Sequence, residues 1–380
     1  MTTAKADQVL LPKPNGAFEV GLGTMELIDK SRLQPFAPTV QQRKFMVSMF
    51  YPVHSHKSTT PVNYMPPATA TFEDSSPLSD TGAAGLISPN GTFEKLALQL
   101  AGKPPQTQGT LDFPIVLFSP AEATTRLFYS VIAQTIASSG YIVITIDAPY
   151  DVDIVEYPDG STDLINTTVA ATATLADINL AVSTRAQDAS FVLDQLCNAS
   201  VISQLIPGSS QGLNVRKAAM FGHSLGGAAT AAAMLNDSRI AGGLAMDGSL
   251  YGPVVQQGLD RPFMFMAHTN HTRTNASTAS DPDTSWFDIW PHLRAFKLDI
   301  ILANSLHYTF SDLPIVLETL GIVPNATVAN NLLVTDLKGA RALEIVTTYV
   351  TAFLDMVLKN KPSPLLQGPV AAFPEVTFER

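Results

Sequence analysis

Residues 218–235 read AAMFGHSLGGAATAAAML. A short apolar run, Ala218–Phe221, leads into a glycine-flanked serine, and a run of small residues leads out. The pentapeptide Gly222-His223-Ser224-Leu225-Gly226 fits G-x-S-x-G. In that motif the serine sits on a sharp strand-to-helix turn, where the strained backbone tolerates only small residues two before and two after it. Gly222, Gly226 and Gly227 supply that clearance. A helix N-terminus under the serine favours the negative charge that develops during acyl transfer. The bare pattern also occurs in ordinary glycine-rich turns, so the strand before it and the helix after it are what make Ser224 a candidate nucleophile.

On either side of this stretch, short apolar runs alternate with helical patterns. Residues 114–119, 141–147, 215–221, 241–246, 262–267 and 298–303 read as buried strands; 127–139, 175–196, 224–235 and 340–357 read as helices. Strands separated by helices predict a mostly parallel sheet covered on both faces, an α/β class in which chemistry sits beyond the carboxyl ends of the strands. Residues 17–29 and 43–52 alternate apolar and polar, as an opening antiparallel section would. We expect one domain over 1–380, with cap or surface excursions at 55–112, rich in Pro, Ser, Thr and Gly, and at 270–330.

The bulk numbers narrow the function. Hydrophobic residues are 46% of the 380-residue chain, which suits a substantial core, and the formal charge of −10 argues against nucleic acid or an anionic membrane surface as partner. The longest apolar stretch, 218–235, carries three glycines and a histidine, so no integral membrane span is expected. The single cysteine, Cys197, excludes an intramolecular disulfide framework and a cysteine metal site, and reads as a small packing residue. The N-terminus lacks a signal-peptide pattern, which points to the cytoplasm if Met1 is the native start. Seven Asn-x-Ser/Thr sequons (Asn90, Asn166, Asn198, Asn236, Asn270, Asn275, Asn325) point instead to secretion with a leader removed, unless they are accidental.

A serine nucleophile needs a general base and an orienting carboxylate. Of seven histidines, His54 and His56 precede the parallel section, and His223 lies inside the elbow, pointing away from its neighbour. His268 and His271 follow the strand PFMFMA, and His292 lies in a Trp/Pro-rich segment. His307 alone follows the last strand, where the order Ser, acid, His puts the base. For the acid, the strand after the elbow helix ends in Asp247, while the next strand has no acidic residue near its end. A buried carboxylate there is costly without a partner, which His307 would supply; the alternative for Asp247 is a turn cap before Gly248.

These residues carry a resemblance. GHSLGG at 222–227, MDGSLYGPV with Asp247 at 246–254 and NSLHYTFSD at 304–312 are similar to the platelet-activating-factor acetylhydrolase-like hydrolases, particularly the fungal group. So are RKFMVSMFYPV, LFSPAEATTRLFYSVIAQTIASSGYIVITIDAPYD, VEYPDGSTD and DASFVLDQL, over roughly residues 15–360. The resemblance implies an α/β-hydrolase fold, a Ser224–Asp247–His307 triad, no metal or cofactor, and hydrolysis of carboxylic esters, often of short or oxidised acyl chains on lipids. Two departures stand out. Where the family usually reads SPGxG, this chain has Ser119-Pro120-Ala121-Glu122-Ala123, making Glu122 the loop donor of an oxyanion hole with Leu225. Where it reads Asp-His-Pro-Tyr-Asp, this chain has Asp147-Ala148-Pro149-Tyr150-Asp151.

The expected function is therefore a serine hydrolase acting on a small-molecule or lipid ester. Glu122, His223, Tyr150 and Tyr308 are candidates for its substrate pocket, and apolar segments such as Leu313–Val323 are expected to line an acyl site. The altered oxyanion loop keeps a second reading open, a biosynthetic enzyme using the same triad for acyl transfer, cyclisation or carbon–carbon bond formation. A non-catalytic binding protein on the same scaffold is the third.

Overall fold

Nine strands make one sheet, ordered β14-β13-β12-β11-β10-β6-β7-β3-β2 in the computed structural model, which describes residues 8–53, 59–75, 91–101, 112–273, 283–322, 335 and 337–379. In chain order β1 is Val9–Leu10, β2 Glu19–Leu33, β3 Gln42–Val53, β4 Thr59–Asn63, β5 Leu96–Ala101, β6 Ile115–Ser119 and β7 Ile142–Ile146. Then follow β8 Ile154–Glu156, β9 Thr162–Leu164, β10 Ala218–His223, β11 Ile240–Met246, β12 Phe263–His268, β13 Lys297–Leu302 and β14 Val376–Phe378. The six strands from β13 to β7 run parallel, and β14, β3 and β2 close the two edges antiparallel.

Each apolar run is buried on both sides because successive side chains leave a strand on opposite faces. Val116, Phe118, Ala219 and Phe221 face one core, with the helices Ser130–Ser138 and Gly339–Lys359. Ile115, Leu117, Ala218 and Met220 face the other, with the helices Leu175–Leu196 and Leu225–Asn236. The expected strands and helices are present with small shifts at their ends, and a long helix fills 175–196.

Within 55–112, β4, β5 and the helix Pro67–Ser75 are ordered parts of the protein. β1, β5 and β4 pair into a small second sheet. Phe93, Leu96, Leu98 and Leu100 are fully buried there and join the first core. Residues 270–330 include β13 of the main sheet.

Two expectations need correction. Leu313–Leu317 is buried against the closing helix rather than lining a pocket, because its apolar face meets that helix first; Val323 lies outside the described residues. Cys197 is exposed at the end of its helix, where the chain turns away from the core. Among the sequons, Asn166 and Asn198 cap helices with their side chains, and Asn236 and Asn270 are exposed. Asn90, Asn275, Asn325, His54 and His56 lie outside the described residues. Among the described residues no helix is long and apolar enough to cross a membrane.

Candidate active site

Ser224 is half-buried at the turn between β10 and the helix Leu225–Asn236, with φ 54° and ψ −124°. That backbone is disfavoured for any residue with a Cβ and is held here by its surroundings. The Ser224 N–H donates to the Met246 carbonyl at 2.8 Å, and the Ser224 carbonyl accepts from Gly227 at the same distance. A Cβ on Gly222 would fall 2.1 Å from the Gly226 carbonyl oxygen, and one on Gly226 would fall 2.0 Å from that of Ser119. The glycines therefore let the elbow, its helix and the end of β6 approach one another.

Asp247 follows β11, fully buried. Its Oδ2 faces His307 Nδ1 at 2.6 Å. Its Oδ1 accepts from the backbone N–H of His268 at 3.1 Å and faces His268 Nδ1 at 2.7 Å and His271 Nδ1 at 3.1 Å. Burial alone would raise its pKa, but the hydrogen bonds from His268, His271 and His307 outweigh that and hold it well below the usual carboxylate range. The carboxylate is thus ionised and accepts from three imidazoles.

His307 begins a single tight turn, His307–Phe310, after β13. The turn is anchored by Asp312, whose buried carboxylate accepts the N–H groups of Val131 at 2.7 Å and Ile132 at 3.1 Å and the Tyr64 hydroxyl at 3.0 Å. Burial pushes Asp312 up to about 8 against those bonds. His307 keeps 27% of its side chain exposed, so its ring reaches the surface where a substrate would arrive.

His223 and Tyr308 do not lie with Glu122 and Tyr150. His223 is fully buried, with Nδ1 2.8 Å from the Tyr129 hydroxyl and its ring centroid 4.5 Å from that of His307. Burial, then the nearby His307, depress its pKa well below the ordinary histidine value, so it is neutral. Tyr308 is buried with its hydroxyl 3.1 Å from Thr124 Oγ1. Both form the floor behind His307.

Glu122 and Tyr150 line a narrow cleft with Asp151, Leu225, Ile178 and Ala181, whose enclosed volume is about 30 Å³. Glu122 itself is exposed. The N–H groups on either side of it are used internally: Ala121 donates to the Tyr129 hydroxyl at 3.2 Å and Ala123, at φ 50°, to the Asp151 carbonyl at 2.9 Å. Tyr150, at φ 67°, accepts from Gln41 at 2.6 Å and donates to Asp163 at 2.7 Å.

Sequence reading missed what holds this loop. Asp147 and Asp151, the two carboxylates of Asp147-Ala148-Pro149-Tyr150-Asp151, pair with Arg126 and Arg185. Arg185 makes a two-pronged contact with Asp151, both at 2.7 Å, and also reaches Ser119 Oγ and the Pro120 and Ala121 carbonyls. The pattern D-x-x-x-D beside two internal arginines was the available signal. A second, larger cavity of about 460 Å³, lined among others by Met46, Ser48, Tyr64, Leu98, Arg126 and Glu156, includes no part of Ser224, Asp247 or His307.

Among the described residues two triplets, His223–Asp247–His307 and Asp247–His268–His271, bring metal-ligand atoms within 4.8 Å of one another. A ring nitrogen facing an ionised carboxylate carries its proton and has no lone pair to offer, so these contacts read as hydrogen bonds rather than as a cation site.

The model of the family "Platelet-activating factor acetylhydrolase, isoform II" matches residues 3–157 and 197–362. A probable 1-alkyl-2-acetylglycerophosphocholine esterase of Arthroderma benhamiae is 34% identical over 97% of this chain and 93% of its own length. The structure of a ferulic acid esterase from Streptomyces cinnamoneus superposes with a TM-score of 0.79 at 26% identity, covering 99% of this chain and 100% of the other. The fold is that of the α/β hydrolases, and the chain is a hydrolase acting on ester bonds.

Proposed function

The chain belongs to the platelet-activating factor acetylhydrolase isoform II family, and from that premise we propose that it cleaves carboxylic esters through Ser224, His307 and Asp247 by way of an acyl-enzyme. The observation that carries this reading is the 2.6 Å contact between His307 Nδ1 and Asp247 Oδ2, in a chain whose Ser224 is held at positive φ on a strand-to-helix turn. With its Nδ1–H donating a hydrogen bond to ionised Asp247, His307 presents Nε2 as the base.

His307 takes the Ser224 hydroxyl proton as Oγ attacks the ester carbonyl. The negative charge on the carbonyl oxygen is received by the backbone N–H groups of Leu225 and Glu122. Collapse expels the alcohol, protonated by His307; water then attacks the acyl-enzyme by the same route and frees the acid. Ionised Asp247 holds the imidazole and stabilises its charged form.

The narrowness of the cleft beside Leu225 and Glu122 supports a short acyl group, as does the acetyl ester in the fungal relative's name. We therefore take the substrate to be a short-chain ester of a larger alcohol. A fluorophosphonate probe should label wild-type protein and not Ser224→Ala, and a panel from acetyl to long-chain esters should turn over best at the short end, releasing free acid and alcohol. A labelled serine whose only product is an isomer with no water added would refute hydrolysis.

A further inference from the structure

Asp247 Oδ1 accepts more than a triad acid needs. Beyond His307 on Oδ2, it meets His268 and then His271, which has a second carboxylate on its far side: His271 Nε2 lies 3.1 Å from Asp283 Oδ2. We propose that His271, clamped between Asp247 and Asp283, is a positioning residue that carries a standing positive charge behind the acid, fixing the Asp247 carboxylate toward His307 and setting the pH at which the enzyme switches on. This proposal rests on the triad reading given above.

The geometry assigns the charge. A neutral imidazole has one donor and one acceptor nitrogen, whereas an ionised carboxylate only accepts. A ring with a carboxylate oxygen at hydrogen-bond distance from each nitrogen satisfies both contacts only as the imidazolium. Burial disfavours that charge, yet the bonds to Asp247 and Asp283, with their negative charges, raise His271 to about 9. Asp283 is correspondingly held down at about 2 against its own burial.

The surroundings are built to keep this arrangement in place. The Trp286 ring lies 4.4 Å from the His271 ring at 32°, a face that favours a cation. Trp286 Nε1 donates to the Gly248 carbonyl at 2.9 Å, and Ser285 Oγ accepts from the Leu250 N–H at 2.8 Å. The short helix carrying Trp286 is thereby tied to the loop carrying Asp247. Asp283 is further held by Ser285 and Ser249. The other charged or titratable groups facing His271 are His268, at 6.0 Å between ring centroids, and Asp299 on β13 with its neighbours Arg273 and Glu379.

The sign of the effect follows. Asp247 attracts the proton that His307 must shed before it can act as a base, and a cation on the back of Asp247 weakens that attraction. Removing the cation makes His307 hold its proton more tightly, so activity needs a higher pH.

In the full chain, His271→Gln should move the acid limb of kcat/KM on a short acetate ester upward by roughly one pH unit. A purely structural role would lower kcat at every pH and leave the limb where it is, and that outcome overturns the proposal. Should the variant not fold, nitrogen-15 spectra of labelled histidine in wild type decide it: both ring nitrogens of His271 should be protonated at neutral pH and in Asp283→Asn the imidazolium should lose its proton at lower pH. A neutral His271 in wild type refutes the proposal. Full activity of Ser224→Ala would refute the triad reading, while the spectra would still report the charge on His271.

Discussion

The hydroxyl of Tyr129 joins the two sides of the site: it accepts the Ala121 N–H at 3.2 Å and lies 2.8 Å from His223 Nδ1. Its oxygen has a lone pair to spare after accepting from Ala121, so the same hydroxyl holds both the loop and the buried neutral ring of His223. The second residue of the elbow and the first alanine of the proposed oxyanion loop are therefore positioned by one phenol.

Tyr129→Phe should leave two buried polar groups, the Ala121 N–H and His223 Nδ1, without this partner. At about 1–3 kcal/mol for each group, the variant should lose roughly 2–6 kcal/mol of stability in urea unfolding. kcat should fall more than KM rises, since the loop donor is displaced. Unchanged stability would remove Tyr129 from this role.

Arg185→Met should be more damaging. It strands buried Asp151 and frees Ser119, Pro120 and Ala121 from the guanidinium that holds them. Breaking one partner of a buried pair costs about 3–5 kcal/mol. Calorimetry should show the drop, and labelling by fluorophosphonate should slow while Ser224 remains in place.

Glu122 sits exposed at the lip of the cleft, where its charge interacts with Arg185. Glu122→Gln should leave kcat/KM for neutral acetates within about twofold, because the proposed oxyanion donor is its backbone N–H. Esters with an anionic group on the acyl side should improve by about tenfold, since a like charge at close range is removed. Equal gains on both substrates would contradict this.

Stability should also depend on pH through His271. Its pKa is raised from the ordinary 6.5 to about 9 in the folded protein, so its contribution is complete below 6.5 and disappears as pH rises through about 9. The shift corresponds to about 3 kcal/mol. Urea midpoints should fall across that window in wild type, and His271→Gln should lack the fall.

Much of this molecule was legible before any coordinates. The apolar runs at β6, β7, β10, β11 and β12 announce themselves because both faces of a central strand are buried. The elbow is a local motif, readable within ten residues. What holds Asp247 and Glu122 was harder to read because it depends on which strand ends are neighbours. His268, the last residue of β12, and His271 just beyond it are visible in the sequence, yet only the pairing of β11 with β12 brings them to Asp247. Arg185 lies midway along an amphipathic helix, where an inward-facing arginine is indistinguishable from a surface one until Asp151 is placed beside it. Tyr308 and His223 read as pocket residues from their proximity in sequence to His307 and Ser224; their side chains turn inward because the ring of His307 covers them.

Five residues other than glycine have positive φ around the site: Ala123, Tyr150, Ser224, Asp247 and Asn304. Each follows a strand of the sheet and feeds a residue or loop of the proposed machinery. An L-residue in that conformation costs about 1–2 kcal/mol, and a glycine would relieve most of it. Selection for heat resistance alone would thus find its easiest gains in these positions, and every gain would loosen the frame that aims Ser224, Asp247 and His307. A thermostable version of this protein is best sought on its outer helices, with these five angles left untouched.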